Sequence, residues 1–322
     1  MAASAEIRSL RGARADVALE VPQAVWDEEE TASPGVGVST RVMLLTGGEC
    51  RFTCSMCDLW KHTLPTPTPP GILPQQIRHG LAHPAPGAKP PRWIKLYNGS
   101  NFFDHRSVPR EDLPEIASLV ASFERVVVEN HPRLCSEVVP AFRDQLSGQL
   151  EVAMGLETAH PEALAALNKQ MTLDDMARAC ETLAAWGVDT RAFVLLGVPG
   201  IAPDEAVAWC LRSVAFAREC GIRHVSIVPL RRGNGWVDRL LDDGPLRLPT
   251  AADLEAVADA ALSEPSEVAA ATATVVTIDL WDFPTLAGSC DVCRPVRQAR
   301  LAAMNLTQRH ISRPDLTCGC QA

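Results

Sequence analysis

The chain has 322 residues, 47% of them hydrophobic and 21% charged, with a formal net charge of −9. That length suits one large α/β domain with a small appendage, and the acidic balance argues against holding nucleic acid by bulk electrostatics, since phosphate binding needs clustered Lys and Arg. No run of about 18 apolar residues occurs, so no membrane span is expected, and eleven cysteines without an apolar leader point to metal ligation in a reducing, cytoplasmic setting.

Residues 1–37 lack a sustained period, carry the acidic run Asp27-Glu28-Glu29-Glu30 and end in Ser33-Pro34-Gly35, so they read as a surface extension. Residues 38–46 form an apolar run that predicts a buried strand. Cys50-Arg51-Phe52-Thr53-Cys54-Ser55-Met56-Cys57 follows at once, with three cysteines in eight positions. Thiolates this close in one loop can ligate a single compact centre. Ferredoxin-type clusters use four cysteines, so three would leave one iron of a [4Fe–4S] cube free to hold something else. A disulfide or half of a zinc site would each need a partner that the local sequence does not supply.

Residues 63–91 are proline-rich and predict a crossover loop with a short helix around Pro74 to Leu81. From Arg92 onward strand-like and helix-like stretches alternate, as in parallel βα units. Strands are expected at 93–97, 125–129, 150–155, 190–196 and 224–229. Helices are expected at 112–122, 134–145, 161–167, 173–186 and 203–220. With the strand before the cysteines that makes six units, and one more strand is expected at 275–280. Periodicity alone does not separate a barrel from an open doubly wound sheet. The expected organisation is an extension over 1–37, the α/β unit over 38–235 and a cysteine-rich region over 236–322.

The C-x3-C-x2-C spacing resembles the radical S-adenosylmethionine (radical SAM) superfamily, except that Met56 stands where an aromatic residue is usual before the third cysteine. The stretches Lys95 to Asp104, Val128 to Pro132, Gly155-Leu156-Glu157-Thr158 and Asn168-Lys169 resemble the branch containing the elongator catalytic subunit and the archaeosine-forming lyase, closest to the latter. The resemblance covers roughly residues 38–232 and the cysteine-rich tail. It implies a partial (β/α)6 TIM-like barrel, a [4Fe–4S] cluster on Cys50, Cys54 and Cys57, and SAM bound across the strand tops. It also implies reductive cleavage of SAM to a 5′-deoxyadenosyl radical that abstracts hydrogen from a small-molecule or nucleoside-type substrate.

Candidate SAM contacts follow from the same placement. Asn98, Gly99 and Ser100 stand after the second strand, where many members receive the SAM amino group with a Gly-Gly-Glu motif; the alternative is a polar turn. Gly47-Gly48-Glu49 matches that motif superficially but precedes the cluster loop and is expected to shape its entry. Glu129 and Glu157 each end a strand, and Glu157 could hold the ribose hydroxyls or form a structural ion pair. Arg231, after the sixth strand, could clamp an anionic group or belong to a solvated loop. Cys135, Cys180, Cys210 and Cys220 read as small core residues. In the tail, Cys290, Cys293, Cys318 and Cys320 form a four-thiolate set suited to zinc or to an auxiliary cluster. The implied partners are an external electron donor such as flavodoxin or ferredoxin and, if the substrate is RNA-borne, tRNA. A rival of another class is a non-catalytic zinc or RNA-binding protein with both cysteine groups on zinc.

Overall fold

The computed structural model describes residues 4–83, 89–244, 246–263, 274–315, 318 and 320. Residues 84–88 of the proline-rich stretch lie outside the described residues. Eight strands make one sheet in sequence order: β1 (Ala24–Ser33), β2 (Val36–Leu44), β3 (Trp93–Tyr97), β4 (Arg125–Glu129), β5 (Gln149–Glu157), β6 (Asp189–Leu196), β7 (His224–Pro229) and β8 (Val275–Ile278). β1 pairs antiparallel with β2, and every later pair is parallel. The described helices are α1 (Ser4–Ser9), α2 (Ile72–Ala82), α3 (Leu113–Leu119), α4 (Val138–Arg143), α5 (Pro161–Ala166), α6 (Leu173–Ala185), α7 (Ala206–Glu219), α8 (Trp236–Asp242), α9 (Ala251–Ala261) and α10 (Arg294–Thr307). None is long and apolar enough to cross a membrane.

The strands alternate by the two-residue period of the pleat. Ile94, Leu96, Val126, Val128, Val152, Met154, Ala192, Val194, Val225 and Ile227 are buried in the main core with residues of the helices. The intervening residues point the other way, and there the layer is charged. Glu30 of β1 accepts from Arg191 of β6 at 3.1 Å and lies 3.5 Å from His224 of β7. Such contacts between strands so far apart in the sheet order require the sheet to curl into a nearly closed barrel. The barrel expectation therefore holds, with two strands beyond the six units.

One of those strands corrects the reading of residues 1–37 as a surface extension. Residues 24–33 form β1, whose acidic run alternates between the lumen (Glu28, Glu30) and the outside, with Asp27 on Arg41 at 2.8 Å. The run reads as polar loop because a lumen of ion pairs lacks the apolar alternation that marks ordinary strands. The seam between β1 and β8 is filled by α10. Asn305 and Gln308 use their side-chain amides as a substitute strand, bonding the backbone of Ile278 and Val276 at 2.8–2.9 Å. Thr31 of β1 donates to the carbonyl of Asn305 at 3.0 Å. The 236–322 region is thus partly barrel wall.

Candidate functional site

The cysteine loop sits at the C-terminal ends of the parallel strands, where active sites of α/β barrels form. Three loops clamp it. After β3, Asn101 Nδ2 donates to Cys50 Sγ at 3.1 Å, and Asp104 takes Arg51 in a two-pronged pair at 2.6 and 2.7 Å. After β5, the carbonyl of Leu167 accepts from Ser55 N at 2.8 Å and Asn168 Nδ2 donates to Thr53 O at 2.7 Å. After β7, Asn234 Nδ2 donates to Ser55 O at 2.8 Å. Phe52 stacks on His131 with ring centroids 3.7 Å apart.

The N-terminal segment closes over the same loop. Arg11 and Arg14 both pair with Glu49, Arg14 also donates to the carbonyl of Thr63 at 2.9 Å, and Ser4 Oγ accepts from Asn168 at 3.1 Å. Glu49 is therefore an anchor at the loop entry. A Cβ on Gly48 would lie 2.4 Å from the carbonyl oxygen of Arg106, which is why the approach needs glycine there.

Lys169 is the charge at the centre. Its Nζ donates to Glu157 Oε1 at 2.8 Å, and both side chains are about nine-tenths buried. Burial alone would lower the lysine pKa, but Glu157 and the neighbouring Cys54 and Cys50 sulfurs outweigh it and hold the ammonium charged. Glu157 reaches this pair from a left-handed backbone position, φ 63°, at an irregularity in the β5–β6 pairing. Burial pushes the Cys54 thiol up to about 11 against the pull of Lys169, and raises Cys50 and Cys57 as well. Dry thiols next to a fixed ammonium suit a metal centre that supplies the remaining positive charge.

The other sequence candidates separate by what they already touch. Glu129 Oε2 accepts from the backbone N–H groups of Asn98 and Gly99 at 3.0 and 3.1 Å, so it shapes the β3 loop; burial pushes its pKa up to about 7. The Asn98 amide is spent inside that loop, on Ser107 Oγ at 2.9 Å and Ser100 N at 3.2 Å. Ser100 Oγ is buried without a hydrogen-bond partner, as is Ser55 Oγ inside the cysteine loop. An orphaned buried hydroxyl is a group that a bound polar ligand can satisfy. Gly99 holds φ 61°. Arg231 spans the mouth, donating to Asp282 at 3.0 Å and Asp58 at 3.3 Å. His131 accepts at Nδ1 from Arg133 N and contacts the Lys169 carbonyl through Nε2 at 3.0 Å, which makes Nε2 the protonated nitrogen; burial and Lys169 lower its pKa to about 3. It buttresses the site as a neutral ring. Sequence reading quoted Asn101, Asp104 and Lys169 without assigning them roles and passed over Asn234; the signal was the presence of Asn168-Lys169 shortly after Glu157.

Below the strand tops a cavity of about 1340 Å³ opens into the lumen, lined among others by Gly99, Tyr97, Lys95, Arg191, Phe193 and Arg231. Away from it, Cys290, Cys293, Cys318 and Cys320 bring their sulfurs within 4.8 Å of one another, with Cys290 and Cys293 3.8 Å apart. Four thiolates about 2.3 Å from one zinc stand about 3.8 Å apart at the corners of a tetrahedron. Among the described residues the Cys50, Cys54 and Cys57 sulfurs do not form so tight a group. Cys180 and Cys210 are buried core residues, and Cys135 and Cys220 are partly buried against the same core.

No family model matches the chain. An uncharacterized protein of Methanocaldococcus jannaschii is 24% identical over 67% of this chain and 62% of its own length, so the match spans under two thirds of that relative. Archaeosine synthase subunit beta of Methanosarcina acetivorans is 23% identical over 93% of this chain and 88% of its own. Among solved structures, Elp3 of Methanocaldococcus infernus is 14% identical with a TM-score of 0.46, over 65% of this chain and 51% of that one. The radical S-adenosylmethionine methyltransferase TsrM of Kitasatospora setae, with cobalamin and a [4Fe–4S] cluster bound, is 16% identical with a TM-score of 0.39, over 60% and 34%. The resemblance to the archaeosine branch, read from the sequence, is borne out by the second relative.

Proposed function

We propose that the chain is a radical SAM enzyme in which Cys50, Cys54 and Cys57 hold a [4Fe–4S] cluster and SAM lies between it and the lumen. The observation that carries this reading is a loop of three thiols at the strand tops, Cys54 buried and Cys50 and Cys57 half-buried, clamped by three loops beside Lys169 and above the lumen cavity. When bound, the cluster supplies the electron that cleaves SAM to methionine and the radical that takes hydrogen from the substrate.

The chain's own residues do the rest. Asn101 donates to the Cys50 sulfur and Lys169 holds positive charge beside Cys54, both of which favour thiolate over thiol. Ser100 Oγ, which lacks a partner in the fold, and the Gly99 backbone are the groups that would receive a zwitterionic amino-acid group. Arg11, Arg14 and the strap from Ser4 to Ala15 shield the loop from water. A small-molecule or nucleoside-type substrate enters the lumen. The match to archaeosine synthase subunit beta along most of both chains favours, as a second reading, a lyase acting on a modified base of tRNA. The electron comes from a flavodoxin- or ferredoxin-type donor, and eleven free cysteines suit the reducing cytoplasm. The tail thiolates hold zinc as a structural ion.

The test is 5′-deoxyadenosine production under dithionite by anaerobically reconstituted protein. Cys54→Ala is expected to abolish it together with the visible cluster absorption, whereas Cys180→Ala, a core change, keeps both. A colourless protein with zinc on both cysteine groups would establish the non-catalytic rival instead.

A further inference from the structure

Given the reading of the lumen as the substrate chamber, the charges on its walls narrow what can enter. Three cations line the cavity, and each already holds two carboxylates. Lys95 takes Glu28 and Glu30, Arg191 takes Glu30 at 3.1 Å and Glu151 at 2.6 Å, and Arg231 takes Asp58 and Asp282. An entering phosphate or carboxylate would find no uncompensated cation there and would approach Glu28, Glu30 and Asp279, which line the same cavity. Placing a further anion on a guanidinium that carries two costs repulsion without a new countercharge.

Arg191 supplies the second observation. It is 2% exposed, and its Nη2 has no hydrogen-bond partner among the described residues. A dehydrated N–H without an acceptor is costly, and an uncharged oxygen satisfies it without adding charge to the network. Beside it Tyr97 and Phe193 stand edge to face with centroids 6.2 Å apart, on the same cavity wall. Such a wall receives a flat, weakly polar body.

We propose that the lumen selects an uncharged planar molecule whose carbonyl or amide oxygen accepts from Arg191 Nη2 while its ring packs against Tyr97 and Phe193. Anionic groups of the substrate stay outside the floor.

Benzamide and benzoate, equal in shape and different in charge, are the probes. Ligand-observed NMR titration of the reconstituted full chain is expected to show benzamide binding at least about tenfold tighter than benzoate. Arg191→Lys keeps a cation for Glu30 and Glu151 but lacks the free donor, and is expected to weaken benzamide about tenfold. Tyr97→Leu leaves the ion pairs intact and weakens it too, which keeps the test available if Arg191→Lys does not fold. Benzoate binding as tightly as benzamide, failure of both probes to bind, or unchanged benzamide affinity in the folded variant would overturn the assignment. SAM cleavage without substrate, measured on the same preparations, reports the cluster alone. Its loss with benzamide selectivity kept would sink the enzyme reading and leave the chamber's preference standing.

Discussion

Lys169→Met removes the ammonium that sits between Glu157 and the cysteine loop. The structure sets the size of the effect: Glu157 Oε1 is 2.8 Å from Nζ and both side chains are nearly buried, so the carboxylate is left dry and unpaired. Breaking a buried pair from one side costs about 3–5 kcal/mol. Glu157→Gln combined with Lys169→Met removes both charges, keeps the side-chain volumes close to the original and is expected to recover most of that loss. The assay is urea unfolding of the four proteins of the double-mutant cycle, prepared without the cluster so that ligand binding does not enter the comparison. A loss below about 1 kcal/mol in Lys169→Met, or a double variant no more stable than the single one, would refute the buried-pair argument.

Glu129 is raised to about 7 by burial, so its protonated form is favoured in the folded state. The stability this contributes is complete below its ordinary carboxylate pKa and is lost as pH rises through about 7; in Glu129→Gln that part of the pH dependence is expected to flatten in unfolding experiments between pH ~4.5 and ~7. Cys290→Ser and Cys318→Ser are each expected to release one zinc per chain and to lower stability more than SAM cleavage per folded molecule, because a structural zinc contributes folding free energy on the order of 10 kcal/mol. Metal analysis checks it, and about four additional irons in place of one zinc would identify an auxiliary cluster.

The parallel part of the barrel was legible because its strands are short apolar runs at strand length, punctuated by helical patterns and turns. The predicted 93–97, 125–129 and 224–229 coincide with β3, β4 and β7, and 190–196 lies within β6. The periodicity of the outer face, set by contact with the helices, carries that information locally. β1 was not legible, since its Glu28 and Glu30 become favourable only against Lys95 and Arg191, contributed by β3 and β6. A charge whose partner lies tens of residues away looks like a loop residue in a one-dimensional window.

The sequence by itself marked the two cysteine groups as candidate ligand sets, because ligand type and spacing are local properties of the chain. It also placed the first group after a strand, and hence at a barrel mouth. Only the tertiary structure decided which polar residues are free to meet a ligand. Asn98, Glu129, Glu157 and Arg231 look equivalent as strand-end polar groups, yet each is engaged by a partner in the fold, whereas Ser100 Oγ and Arg191 Nη2 lack one. The same holds for Asn305 of α10 and for Gln308 just after it, whose amides look like ordinary surface groups until β8 presents an unpaired edge to them. Hydrogen-bond capacity belongs to the residue, but whether it is spent depends on which distant backbone or side chain the closed sheet brings within 3 Å.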